Sequence, residues 1–265
     1  MKKKIRLFVF DFDGTALGGY FPYEAFPKPF VHFLDGLGKE GIKWATNTTW
    51  SPDVQYGVMI HSGVRSRPVF LSGQTGRQFS AIRRGRVAHD KAYERGVAAR
   101  DRLFWKKHWK ELSRIGIELL RKGLVEQLEL NQFNQNIISF KSRKGQEDKV
   151  WRYFEDLLKS GEYYEWDPER GENGTLLPMR MNKGEVLAEM QRRLGIGPEN
   201  TMVAGDGVND LHMFEKRRAH WMVCPANANW QVKQAVRANG GIVAKRKYSW
   251  GVVEGAMKLM ALVNG

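Results

Sequence analysis

A single cysteine, Cys224, stands among the 265 residues. One thiol excludes an intramolecular disulfide and a cysteine-built metal site, and Cys224 lies in an apolar stretch that reads as a buried strand. The six histidines (His32, His61, His89, His108, His212, His220) show no metal-ligand spacing, and only His212 falls beside an acidic motif. No apolar run approaches the roughly 20 residues that a membrane helix needs. Met1-Lys2-Lys3-Lys4 and the apolar residues after it imitate a signal peptide, but Asp11 and Asp13 interrupt the run too early. The expected setting is therefore reducing and cytoplasmic. Internal repeats and low-complexity stretches are missing too. Acid is scarce, with 29 Asp and Glu against 43 Lys and Arg, a formal charge of +14 that favours anionic partners. Much of the excess falls between Arg77 and Lys122, where fourteen Lys and Arg meet five Asp and Glu. That segment reads either as a solvated helix face or as an anion-attracting lid or nucleic-acid patch. The solvated face accounts for most of it.

What the chain does hold is acid at strand ends. Ile5 to Phe10 is a short apolar run, and Asp11-Phe12-Asp13-Gly14-Thr15 follows it. This reads as a buried strand opening onto a loop, and in open α/β sheets chemistry sits at that edge. Two carboxylates this close raise one pKa or take a cation between them, and hard oxygen ligands suit Mg²⁺. A strand-end turn would use the same residue types. A second acidic loop favours the cation: Thr201-Met202-Val203-Ala204 is another apolar run, followed by Gly205-Asp206-Gly207-Val208-Asn209-Asp210. The glycines beside Asp206 let the backbone approach a ligand closely. Leu211 to Arg218 looks helical, which places Asp210 near a helix N-terminus.

Two further pieces lie between them. Gly41 to Ala45 reads as a strand running into Thr46-Asn47-Thr48-Thr49, where hydroxyls, an amide and backbone N–H groups can hold a phosphate or simply form a turn. Lys183 opens a helical stretch, Asn182 to Met190. A cation there opposes the helix macrodipole; most lysines so placed are simply solvated, and an oxyanion nearby would explain the placement better.

The ordered set Asp-x-Asp-Gly-Thr, Thr-Asn-Thr, Asn-Lys-Gly and Gly-Asp-Gly-x-Asn-Asp resembles the haloacid dehalogenase superfamily hydrolases of the Cof-like, type IIB branch. Pro225-Ala226-Asn227-Ala228 and Trp250-Gly251-Val252 extend the resemblance. Residues 77–180 match it only in length and general pattern. The resemblance implies a nucleophilic Asp11 that becomes an aspartyl phosphate, and an Asp13 that protonates the leaving oxygen and then activates water. It implies phosphate contacts from Thr46 and from backbone groups at Asn47, with Lys183 neutralising Asp11 and the phosphate. Mg²⁺ would be held by Asp11, Asp206 and the Asp13 carbonyl, with Asn209 and Asp210 in support. General chemistry agrees: a carboxylate nucleophile splits hydrolysis into two displacements, and it needs positive charge to approach a phosphate dianion. The chain departs from the pattern where Asn47-Thr48-Thr49 replaces the usual Gly-Arg, and in the basic segment Glu215 to Trp221.

The expected fold is α/β: a doubly wound, mainly parallel, Rossmann-like core (1–76 and 181–265) with an inserted α+β cap (77–180) that selects the substrate. Within the core, Gly18 to Pro29 reads as a loop, Pro29 to Lys39 as a helix and Val54 to Ser62 as another. In the insertion, Phe79 to Ala88 reads as a hairpin turning near Gly85. Val97 to Lys122 reads as one or two helices carrying Leu103, Phe104, Trp109, Leu112, Ile115, Leu119 and Leu120, most of whose aromatics read as core rather than as a base-stacking platform. The expected activity is Mg²⁺-dependent hydrolysis of a small phosphorylated metabolite such as a sugar phosphate, with no membrane partner. A phosphomutase of the same chemistry is one alternative. A nucleic-acid-binding or end-processing protein is another, so nucleic acid stands as a second, disfavoured partner. The sequence does not specify the oligomeric state.

Overall fold

The structure is a computed structural model, described here for residues 4–18, 25–131, 137–166, 170–179 and 182–264. Residues 19–24 of the expected Gly/Pro/aromatic loop lie outside the described residues. The chain divides into two compact units, one of residues 1–93 and 182–265 and one of residues 94–181.

The first unit is built on an eight-stranded sheet. In chain order its early elements are β1 (Leu7–Phe10), α1 (Lys28–Lys39), β2 (Lys43–Asn47), α2 (Pro52–His61), β3 (Phe70–Gly73), β4 (Gln78–Arg83) and β5 (Arg86–His89). After α3 (Lys91–Arg121), β6 (Val125–Asn131), β7 (Ile137–Ser142), α4 (Glu147–Lys159), β8 (Tyr163–Glu165) and β9 (Asn173–Pro178), the chain returns to it. The returning elements are α5 (Lys183–Leu194), β10 (Thr201–Ala204), β11 (Trp221–Cys224), α6 (Trp230–Ala238), β12 (Ile242–Val243) and α7 (Tyr248–Asn264). The strand order is β12-β11-β10-β1-β2-β3-β4-β5, parallel from β12 to β3 and antiparallel from β3 to β5.

β1 is wholly buried and alternates its side chains between two cores, as a strand covered on both faces must. Phe8 and Phe10 join Phe30, Phe33, Leu34 and Leu37 of α1 and Val252, Ala256 and Leu259 of α7. Leu7 and Val9 join Val186, Leu187 and Met190 of α5 and Val232 and Val236 of α6. The apolar face expected for the first helix is therefore the face it buries. Strand order reverses about β1, which pairs with β2 on one side and β10 on the other. Such a reversal opens a crevice at the carboxyl ends of the strands, and Asp11 and Asp206 both lie just past strands that meet there.

The expected hairpin is present, with Arg84 and Gly85 both at positive φ, as a two-residue turn between twisted strands requires. It extends the large sheet, however, so the division between the units falls at Tyr93/Glu94 rather than at residue 77. The cause is β4, which pairs with β3 from Leu71↔Ser80 to Gly73↔Gln78. A second difference concerns residues 211–218, where the expected helix is replaced by a short 3₁₀ turn, Val208–Met213.

The second unit is a four-stranded antiparallel sheet in the order β6-β7-β9-β8, with α4 and most of α3. Its core joins Phe104, Leu112, Ile115 and Leu119 of α3 to Phe140 of β7 and Val150, Trp151 and Phe154 of α4. Opposite Phe140, its partner Gly174 leaves room for the ring; a Cβ there would overlap it. Residues 97–121 belong to one helix, in which Phe104 is buried while Leu103, Trp109 and Leu120 are exposed. The helix buries one stripe only, and these three lie off it. Among the described residues, no helix is long and apolar enough to cross a membrane.

Candidate active site

The site lies wholly within the first unit. β1 ends by giving the Asp11 N–H a carbonyl partner, Ala204 of β10, at 3.1 Å, which holds the two strand ends in register. The chain then turns through Gly14 at φ 69°, a conformation open to glycine at little cost. A Cβ on Gly14 would overlap the Asp206 carboxylate. Glycine is needed here because two acidic loops approach closely. The Thr15 hydroxyl donates to Asp206 Oδ1 at 2.6 Å. The Asn227 side chain clasps the same turn, donating to the Gly14 carbonyl at 2.7 Å and accepting from the Tyr248 N–H at 2.7 Å.

On the other side of Asp11 stands Lys183, the first residue of α5. Asn182 caps that helix by accepting from the Glu185 N–H at 2.9 Å, a standard way to satisfy a first-turn donor. Gly184 lets the 3₁₀ turn press against α5, since a Cβ there would lie 2.5 Å from the His212 carbonyl oxygen. Lys183 Nζ sits 2.9 Å from Asp11 Oδ1 and 2.5 Å from Asp210 Oδ1. All three side chains are buried. Burial works against the lysine's charge, but the two carboxylates more than offset it and hold the group well above its ordinary range.

The carboxyls respond in the opposite sense. Burial lifts Asp11 to about 7; Lys183 opposes the shift and Asp210 adds to it. Burial, then repulsion from Asp210 and Asp11, lifts Asp206 to about 8. Carboxylate oxygens of Asp11, Asp206 and Asp210 all lie within 4.8 Å of one another. Two buried acids and the half-buried Asp206 against one buried cation leave an excess of negative charge, and a hard divalent ion fits that excess and this all-oxygen donor set. Asp210 is already engaged: Oδ1 takes Lys183, and Oδ2 accepts from the Asp206 and Gly207 N–H groups at 2.9 and 3.0 Å. That leaves Asp11 and Asp206 as the carboxylates that could hold a metal, with Asp210 orienting their surroundings. Among the described residues no other cluster of this kind occurs.

Asp13 is held differently. Its Oδ2 accepts from the Trp50 indole N–H at 2.6 Å, while its Oδ1 is buried and has no hydrogen-bond partner. Asn209 is buried beside Asp210. Thr46 and Asn47 end β2 next to β1, but both side chains are turned to other partners. The Thr46 hydroxyl donates to Gln55 Oε1 at 2.5 Å, and Asn47 Nδ2 donates to the Lys183 carbonyl at 2.8 Å. Through this bond the Thr46 hydroxyl braces the loop after β2. Gln55 completes the brace through Nε2, which donates to the Trp50 and Ser72 carbonyls at 2.7 and 3.0 Å. His212 faces Glu215 at 3.5 Å. Cys224 is buried in β11, which pushes its thiol up to about 12.

Sequence reasoning missed Thr15, Trp50 and Gln55 as parts of the site. Thr15 could have been found as the hydroxyl that closes the first acidic motif. Trp50 and Gln55 lie beyond the second motif at positions that no spacing rule marks.

The family model for sucrose-6F-phosphate phosphohydrolase matches residues 92–259. That range includes Lys183, Asp206 and Asp210 and begins after Asp11 and Thr46. Among solved structures, the fold resembles a sucrose-phosphatase from Synechocystis sp. PCC6803 crystallised with sucrose and phosphate. The TM-score is 0.65 at 19% identity, covering 100% of this chain and 99% of that one. It also resembles a haloacid dehalogenase-like hydrolase, YhjK, from Bacillus subtilis, with a TM-score of 0.62 at 15% identity over 98% and 93% of the two chains. At these identities the likeness is one of fold. A phosphoserine phosphatase from Wolinella succinogenes is 35% identical over 77 residues, 29% of this chain and 34% of that protein's length. This chain thus spans about a third of that curated relative.

Proposed function

This chain belongs to the sucrose-6F-phosphate phosphohydrolase family, a phosphatase family of the haloacid dehalogenase superfamily with Cof-like organisation, and we propose that it hydrolyses a small phosphate monoester through an aspartyl phosphate on Asp11. The observation that carries this reading is the meeting of the buried Asp11, Lys183 and Asp210 with the half-buried Asp206, in which every charge has a distinct task. A pure binding module would have no use for three crowded carboxylates, two of them buried, beside one buried lysine.

In the proposed reaction, an Asp11 oxygen attacks phosphorus in line with the bond to the departing alcohol. Lys183, 2.9 Å from Asp11, draws the phosphoryl group's negative charge towards the nucleophile. Asp13 gives a proton to the leaving oxygen. It then takes a proton from the water that opens the aspartyl phosphate, which returns Asp11 and releases phosphate. Phosphoryl transfer asks mainly for positioning and charge stabilisation of this kind. Asp11, Asp206 and the Asp13 carbonyl would hold Mg²⁺, with Asp210, beside the buried Asn209, fixing the loop that carries Asp206. When bound, such an ion supplies Lewis-acid charge stabilisation at the phosphoryl oxygens.

The substrate class we favour is a sugar phosphate. The family's name supports it, as does the likeness to a protein crystallised with sucrose and phosphate. The unit formed by residues 94–181 then serves as the substrate-selecting cap, and the reaction calls for no membrane or nucleic-acid partner. The test is phosphate release from a panel of sugar phosphates and phosphoamino acids, with and without chelator. Activity on sugar phosphates that Mg²⁺ restores is expected. A chain that releases no phosphate from any ester, or that works fully in excess chelator, would overturn the reading.

A further inference from the structure

We propose that Trp50 is the positioning residue for Asp13: its indole N–H fastens one carboxylate oxygen so that the other alone carries the proton to and from the substrate. The inference rests on the phosphatase reading and goes beyond it. Asp13 Oδ2 receives the Trp50 N–H at 2.6 Å, and Asp13 Oδ1 is buried without a hydrogen-bond partner. A carboxylate with two equivalent free oxygens rotates and offers either; here one is anchored and one is left for chemistry. The anchor is itself well held. The Trp50 ring packs against Phe12, the residue between the two catalytic aspartates, with ring centroids 5.8 Å apart. The Trp50 carbonyl accepts from Gln55 Nε2 at 2.7 Å, and Gln55 is tied in turn to Thr46 and Ser72. A run of three braced groups therefore leads from the end of β2 to Asp13.

The proton bookkeeping is closed. In the first displacement the Asp13 Oδ1–H bond breaks as the leaving oxygen gains the proton, its bond to phosphorus breaks, and the Asp11–phosphorus bond forms. In the second, Oδ1 regains a proton from water as the water oxygen bonds to phosphorus and Asp11 departs. The indole N–H keeps its proton throughout and touches no substrate atom.

The test uses the full chain and Trp50→Phe, which keeps an aromatic ring and removes the N–H. It compares kcat/KM on a sugar phosphate that the wild type accepts with kcat/KM on p-nitrophenyl phosphate. kcat/KM covers the steps through departure of the alcohol. A sugar alkoxide needs the proton and p-nitrophenolate does not. General acid catalysis contributes about 10²–10⁴-fold, and a misplaced acid forfeits part of that. The expected loss is roughly tenfold to a hundredfold on the sugar ester and under about threefold on the aryl ester. Trp50→His, which restores an N–H donor, should recover part of the difference. Equal losses on the two esters would mean a merely structural tryptophan and would overturn the proposal. If Trp50→Phe does not fold, the decision passes to ¹⁵N-labelled protein. There the Trp50 indole resonance should lie downfield of the other eight tryptophans and move upfield in Asp13→Asn, and an unmoved resonance would refute the bond. If the wild type hydrolyses neither ester, or Asp11→Asn retains full turnover, the phosphatase reading itself fails and this role falls with it.

Discussion

Asp210→Asn changes one oxygen to nitrogen with no change in shape, at a residue that is fully buried. The native carboxylate accepts from three donors: Lys183 Nζ and the N–H groups of Asp206 and Gly207. An amide has one acceptor and one donor end. If its oxygen faces the two backbone N–H groups, its NH₂ faces the ammonium; if it turns round, the NH₂ faces both N–H groups. Either way a donor meets a donor in a place closed to water. Breaking a buried charge pair costs about 3–5 kcal/mol. Lys183 keeps Asp11 at 2.9 Å, so the low end, about 3 kcal/mol, is the expected loss. At roughly 2–4 °C per kcal/mol for a chain of this size, the melting temperature should fall by roughly 6–12 °C. Repulsion partly offsets the loss when no cation is present, because Asp210 is among the groups that push Asp11 and Asp206 upward. The fall should therefore be larger with Mg²⁺ than in chelator. Thermal and urea unfolding with the ion held at fixed concentration measure both numbers. A loss under about 1 kcal/mol, or one that is the same with and without the ion, would refute the reasoning, since a lone neutral hydrogen bond would give as little.

Asp11→Asn should abolish turnover, because an amide cannot serve as the covalent nucleophile, while leaving the circular dichroism spectrum unchanged; residual phosphate release near the wild-type rate sinks the nucleophile assignment. Gly14→Ala places a side chain at φ 69°, at a backbone cost of about 1–2 kcal/mol, and pushes it into the Asp206 carboxylate. A Mg²⁺-induced rise in melting temperature should appear in the wild type and vanish in this variant, so an equal rise in both would argue against Asp206 as a metal residue. pH supplies a further test. Asp206 titrates near 3.8 when unfolded and at about 8 when folded, so the folded chain binds more protons than the unfolded one throughout that window. Stability therefore falls as pH rises, and the metal-free protein should melt at lower temperature at pH 8.5 than at pH 6. Mg²⁺ should flatten the slope, and a metal-free protein that gains stability over that range would contradict the crowding of acids described above.

Acid at two strand ends, a lysine at a helix start and the glycines beside Asp206 are local signals, and the family resemblance that their order carries is what implied that Asp11, Lys183, Asp206 and Asp210 share one site. Each is a residue whose type is dictated by what it must touch. The fold was legible for a similar reason: buried parallel strands read as apolar runs, and α1 declares its buried face by the spacing of Phe30, Phe33, Leu34 and Leu37. The second unit was harder. Exposed Leu103, Trp109 and Leu120 carry the same apolar signature as the buried stripe of α3, and only tertiary packing tells them apart. The boundary at residue 77 failed because a hairpin looks the same whether it begins an insertion or ends a sheet; what decides is the pairing of β4 with β3, a long-range fact. Thr46 was read correctly as a strand-end hydroxyl, but its partner Gln55 lies nine residues on, in a helix whose side-chain directions the sequence does not display. Trp50 escaped notice because a tryptophan in a turn is ordinarily an apolar residue, and its role here depends on one N–H.

Lys183 is the second residue of the polypeptide after it re-enters the first unit at Asn182. Its partners Asp11 and Asp210 were made, respectively, long before and shortly after it. During synthesis, then, the acidic end of β1 must wait for the whole second unit and for α5 to emerge before its counter-charge exists, and for β10 before its hydrogen-bonded neighbour does. Contacts so distant along the chain close late, because loop entropy must be overcome first. A nascent or truncated chain that stops before residue 182 holds the Asp11 carboxylate without Lys183 to balance it, so the acidic cluster is complete only with the last third of the protein in place.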